Sequence, residues 1–82
     1  MADRRIKLIW DFRGPTASEI ARHHEKHLRE YIVAEDLPLD ITGYQDYSSA
    51  HSIAFMVVEE SDMIQIRDAL LPHRGEVYDL MS

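Results

Sequence analysis

The 82-residue chain contains no cysteine. A disulfide framework, a thiolate metal centre and a cysteine nucleophile are therefore excluded. Glycine and proline occur three times each, too sparsely for a phosphate-cradling glycine loop. No apolar stretch approaches the roughly 20 residues of a membrane-spanning helix. The start, MADRRIKLIWDF, reaches Asp11 after a few apolar residues, too few for a signal-peptide core. A soluble, cytoplasmic protein with no membrane partner is the expectation. Nine Lys and Arg face fifteen Asp and Glu, for a net charge of −6, and no basic run occurs. Nucleic acid is not expected as a partner on electrostatic grounds. Ser48, Ser49 and Ser52 lack a nucleophile-elbow context, so a serine hydrolase is unsupported. The length predicts a single domain over residues 1–82, near the size at which one core barely suffices and a partner chain helps.

What is present centres on HSIAFMVVEE, His51 to Glu60. Every residue from Ile53 to Val58 is apolar, so both faces of a strand there ask for burial. Its β-branched and aromatic content favours a strand over a helix segment. Arg5 to Arg13 alternates Ile6, Leu8, Trp10 and Phe12 with Lys7, Ile9, Asp11 and Arg13, the pattern of a strand with one buried side. Gly14-Pro15 ends it. Thr16 and Glu19 have capping-box spacing, which predicts a helix from about Pro15 to Glu35. At about 100° per residue its apolar stripe is Ala17, Ile20, Ala21, Leu28, Tyr31 and Ile32, with Arg22, Glu25, Lys26, Arg29 and Glu30 turned away. Pro38 breaks the helical pattern.

Ile41 to Ser48 reads as an edge strand, turning through Ser48-Ser49-Ala50 into a hairpin with the central strand. Ser61 is the expected cap of a second helix whose apolar stripe is Met63, Ile66, Leu70 and Leu71. Pro72 stops that helix, and Arg74 to Met81, with Val77, Tyr78 and Leu80, supplies a last strand. The order β-α-β-β-α-β is that of a ferredoxin-like α+β fold, a four-stranded antiparallel sheet with two helices on one face. Ile9 and one parity of Ile53 to Val58 would then be stranded on the other face.

With the Gly14-Pro15 junction and the run Val57-Val58-Glu59-Glu60 leading into a helix, the pattern resembles the dimeric α/β-barrel group. It is also similar to small bacterial proteins of that shape whose function is uncharacterised. The resemblance spans nearly the whole chain and implies two sheets packed face to face in a homodimer. That group includes cofactor-free oxygenases, haem-degrading enzymes, isomerases and ligand-sensing modules, and the fold does not choose among them. No catalytic motif of any one subgroup occurs here.

Five histidines are the most unusual feature. His24 lies on the apolar stripe near Ile20, Leu28 and Tyr31, where an imidazole needs a hydrogen-bond partner or a ligand. It reads as a satisfied core histidine or as a general base in a pocket between helix and sheet. His23 and His27 have i, i+4 chelating spacing but no third ligand, so they read as solvated and no metal or other cofactor is expected. His51 and His73 should meet at one end of the sheet with Asp11, Arg13 and the start of the Arg74 strand, as an ordinary polar rim or as a site. Trp10 reads as core with an indole N–H in need of an acceptor. Arg67 falls within an apolar stripe, its stem covering apolar surface and its head in water.

The ligand-binding candidates are thus Trp10, His24, His27, His51, Arg67 and His73, with His24 and His51 as candidates for proton transfer. Three functions are compatible with them. The first is a homodimeric domain, paired through the open sheet face, that binds a small organic ligand between helices and sheet. The second is a cofactor-free oxygenase or isomerase using His24 or His51, and the third a purely structural or protein-interaction module.

Overall fold

The computed structural model describes residues 4–78. The elements follow in the order β1 (Arg5–Arg13), α1 (Ala17–Ala34), β2 (Thr42–Ser48), β3 (His51–Glu59), α2 (Glu60–Leu70) and β4 (Arg74–Tyr78). All neighbouring strands are antiparallel, in the spatial order β2-β3-β1-β4. This is the expected ferredoxin-like α+β topology. The Leu80 and Met81 portion of the expected last strand lies outside the described residues.

Both helices cover the same face of the sheet. Register pairs Trp10 with Ala54, Leu8 with Met56 and Ile6 with Val58, and Leu28 and Ile32 of α1 and Ile66 of α2 close over this layer. Trp10 is 3 % exposed, and its indole N–H donates to the Leu70 carbonyl at 3.1 Å. That bond satisfies both the buried indole and a free carbonyl at the end of α2.

The face turned away from the helices departs from expectation. Ile9, Ile53 and Val57 are not stranded in water: each is at most 1 % exposed, although no helix covers them. The Phe55 ring lies down over Gly43, where an added Cβ would meet the ring at 2.6 Å, and the Lys7 ammonium sits 4.4 Å above the centre of the same ring. Only glycine leaves room for that aromatic lid, and the cation gains from the ring quadrupole.

Local details differ from the sequence pattern for identifiable reasons. Helix α1 begins at Ala17, and Thr16 makes no side-chain cap bond, its backbone lying in the bridge region rather than extended. Ile20 is 45 % exposed while Glu25 is buried. The Glu25 carboxylate accepts the Thr42 hydroxyl at 2.6 Å and pairs with Arg29 at 2.9 Å, so the helix presents Ala17, Ala21, Glu25, Leu28 and Ile32 to the sheet. The end of α1 is a Schellman motif: Asp36 takes a left-handed conformation at φ 51° and the Leu37 N–H reaches the Ile32 carbonyl at 3.1 Å.

Helix α2 starts at Glu60, not at a Ser61 cap, because β3 runs directly into it and the Glu60 N–H is taken by the Arg4 carbonyl at 2.8 Å. Leu71 leaves the apolar stripe and is 72 % exposed. It occupies the left-handed cap position at φ 52°, just before Pro72, which cannot continue a helix. No helix of the described residues is long and apolar enough to cross a membrane.

Candidate functional site

Three strands deliver polar side chains to one end of the sheet. Asp11 lies near the end of β1, His51 opens β3 opposite Arg13, and Arg74 opens β4 opposite Ile9. The Asp11 carboxylate accepts His51 Nε2–H at 2.9 Å, Arg74 Nε–H at 2.9 Å and Arg74 Nη2–H at 3.3 Å. These bonds, from Arg74 first and from His51 second, outweigh partial burial and hold the Asp11 carboxyl down to about 2. Tyr47, the extra residue of a β2 bulge, lies with its ring centre 5.2 Å from that of His51. With Nε2–H committed to Asp11, His51 carries its lone pair on Nδ1. A His–carboxylate dyad of this kind is suited to general-base chemistry.

His73, in the turn between α2 and β4, lies at the same end of the sheet with its ring on the opposite face. Its N–H donates to the Ile9 carbonyl at 2.9 Å, and its Nδ1 accepts the Asp11 backbone N–H at 2.8 Å. The ring proton therefore sits on Nε2, free to donate. His73 thus meets the expected polar rim through the main chain of Asp11, whereas Arg13 is exposed and takes no part in the Asp11 bonds.

His24 faces the sheet, with its ring centre 4.9 Å from that of Trp10 and 5.4 Å from that of Phe12. Its Nε2 is buried without a hydrogen-bond partner. Burial first, and the neighbouring His27 and His73 second, push its imidazole below the usual histidine range. The expected satisfied core histidine is therefore not what the structure holds at this nitrogen.

A cleft of about 380 Å³ opens between α2 and the β1–β4 side of the sheet. Ile6, Leu8, Met63, Pro72 and Val77 form apolar walls, and Arg67, His73, Arg74 and the carboxylate of Glu76 line it with polar groups. The Arg67 side chain is about half exposed, and its guanidinium makes 3.3 Å contacts to the adjacent Asp68. Trp10 and His24 do not line this cleft. His23 and His27 lie on the outer side of α1, both exposed.

Arg67 and His73 are thus brought together in the cleft, while His51 is on the opposite face of the sheet and His24 behind Phe12. Sequence reasoning missed the buried Glu25–Thr42 bond and the Asp46 carboxylate, which accepts Ser52 at 2.6 Å and Ser18 at 3.1 Å. Alternation in Tyr44-Gln45-Asp46 against β3 would place Asp46 beside Ser52, but only once the register is known. Among the described residues no group of three or more His, Cys, Asp or Glu converges to hold a metal. Comparison with protein-family models, with curated proteins and with solved structures finds no match. The likeness to ferredoxin-like domains accordingly stands on element order and sheet topology.

Proposed function

We propose that the chain works as a soluble, cytoplasmic homodimer that binds a small organic acid in the cleft between α2 and β4. The observation that carries this reading is the cleft itself. Its volume of about 380 Å³ lies within the range of small-molecule sites, and its largely apolar walls carry the cationic Arg67 and Arg74 and the imidazole of His73 against a single carboxylate, Glu76. The Arg67 guanidinium, held only by a solvent-exposed neighbour, can exchange that contact for a ligand carboxylate. His73 Nε2–H offers a second donor. Calorimetry with octanoate and phenylacetate is expected to show saturable binding, with octanol and phenylethanol at least tenfold weaker. Arg67→Met should weaken the acids roughly tenfold, since a charge-assisted bond contributes about 1.5–3 kcal/mol. Val77→Trp should fill the cleft and abolish binding. Equal affinity for acids and alcohols, unaltered by either variant, would defeat the proposal.

The homodimer forms through the sheet face opposite the helices. The support is architectural: no helix packs on that face, and Ile9, Ile53 and Val57 make an apolar centre there on which a second sheet can pack. Because these residues are already covered within one chain, the drive to pair is weaker than the apolar pattern alone implies. Light scattering at high micromolar concentration should give twice the chain mass; a folded monomer there sinks the dimer.

A second reading, proton transfer at His51, is favoured by its hydrogen bond to Asp11. Asp11→Asn is the substitution that tests it.

A further inference from the structure

We propose that His23 and His27 form a two-imidazole binding site for a late first-row divalent cation, Cu2+ or Ni2+, on the outer side of α1. One helical turn separates the two residues, and their Nε2 atoms approach to 3.1 Å with the rings nearly perpendicular. Two metal–nitrogen bonds of about 2.0–2.1 Å spanning that separation enclose an angle of roughly 98°, between the cis angle of square or octahedral coordination and the tetrahedral angle. The separation of the two nitrogens is therefore that of adjacent ligands of one ion, and rotation of the two exposed rings suffices to turn both lone pairs towards it. Water completes the coordination sphere, since no third protein ligand converges among the described residues.

Glu30 supplies an independent feature. Its Oε1 lies 3.3 Å from His27 Nδ1, one turn further along the helix. From there a small rotation lets the carboxylate accept Nδ1–H, and a carboxylate so placed on the far nitrogen of a ligating histidine fixes the tautomer with the lone pair on Nε2 and raises the basicity of that nitrogen. Without metal, His23 Nε2–H donates across the 3.1 Å gap to His27 Nε2. With metal, the His23 proton resides on Nδ1 and both Nε2 lone pairs point to the ion, so the binding step releases no proton from neutral rings. Imidazole pairs favour Cu2+ and Ni2+ over the earlier metals, and the absence of a carboxylate or carbonyl cage disfavours Mg2+ and Ca2+.

The test is a titration of the full chain with NiCl2, with MgCl2 as the control, followed by calorimetry and by the imidazole resonances in NMR. Saturable Ni2+ binding is expected, with paramagnetic broadening centred on His23 and His27 and with a rise in Tm that follows the metal concentration. His23→Gln and His27→Gln should each reduce the affinity at least tenfold while the circular dichroism stays unchanged, both side chains being exposed. Glu30→Gln should keep both ligands yet weaken Ni2+ roughly tenfold and remove the Nδ1–H signature of His27. Wild-type affinity in either histidine variant, or broadening centred on His51 and His73 instead, would overturn the site.

Discussion

His24→Leu is expected to stabilise the protein by about 1 kcal/mol at pH 8. His24 Nε2 is buried among aromatic rings with no partner, and an unsatisfied buried polar group costs about 1–3 kcal/mol. Leucine retains most of the side-chain volume and carries no polar atom, while the lost ring contacts to Trp10 and Phe12 offset part of the gain by about 0.5–1.5 kcal/mol. His24→Ala lacks that compensation and should instead cost stability through the cavity it leaves.

The pH dependence follows from the direction of the shift. Burial holds the folded-state imidazole below its ordinary value. Below about 6.5 the unfolded chain therefore binds a proton that the folded chain resists. Stability is full above about 6.5 and falls as pH drops towards the folded value. The groups facing the ring are Trp10 and Phe12 from β1, His27 from its own helix and His73 from the α2–β4 turn, and none of these is a carboxylate. The stability advantage of His24→Leu over wild type should consequently widen between pH 7 and pH 5. Urea melts at the two pH values check this, and a variant less stable than wild type at both would show that the nitrogen is satisfied.

Asp11→Asn is expected to cost about 2 kcal/mol. The carboxylate takes charge-assisted bonds from Arg74 and His51, each of a class that contributes about 1.5–3 kcal/mol when shielded. The figure is discounted because the Arg74 side chain is about half exposed. Asparagine keeps one acceptor oxygen but loses the charge. In the wild type the contribution is present above the unfolded carboxyl value near 3.9 and is lost as pH falls through the folded value of about 2. Acid unfolding of the variant should lack that component.

The same substitution tests proton transfer. Asp11 fixes the His51 tautomer and would stabilise the imidazolium formed during catalysis. If His51 is a general base, exchange of the α-protons of phenylpyruvate in D2O, followed by NMR, should fall about a hundredfold or more in folded Asp11→Asn. Protein-dependent exchange that is unchanged in the variant, or absent from the wild type, removes His51 from the candidates for catalysis.

The order of elements was legible because the periods are strong. Ile6, Leu8, Trp10 and Phe12 alternate cleanly, Ile53 to Val58 is apolar throughout, and Gly14-Pro15 and Pro72 punctuate the chain. That Asp11, His51 and His73 share one end of the sheet was legible too, because the βαββαβ order brings those chain segments together without atomic register; that His51 and His73 lie on opposite faces, and that Arg13 stays out of the Asp11 bonds, was not. The helix phase was less so. The stripe containing Ile20 counted hydrophobicity alone, and Glu25 displaced it because Thr42 and Arg29 give its carboxylate partners.

What tertiary structure alone decided are interactions between residues far apart in sequence. The Asp11 N–H reaches His73 Nδ1 across 62 residues, and Asp11 reaches Arg74 across 63. The Phe55 ring lies over Gly43 of the neighbouring strand, and Ile9, Ile53 and Val57 are buried on a sheet face that the apolar pattern left exposed. Sequence periodicity assigns a residue to a face of its own element. Which partner it meets depends on strand register and on how side chains lie across neighbouring strands, and a register change of one residue would turn every such side chain to the opposite face.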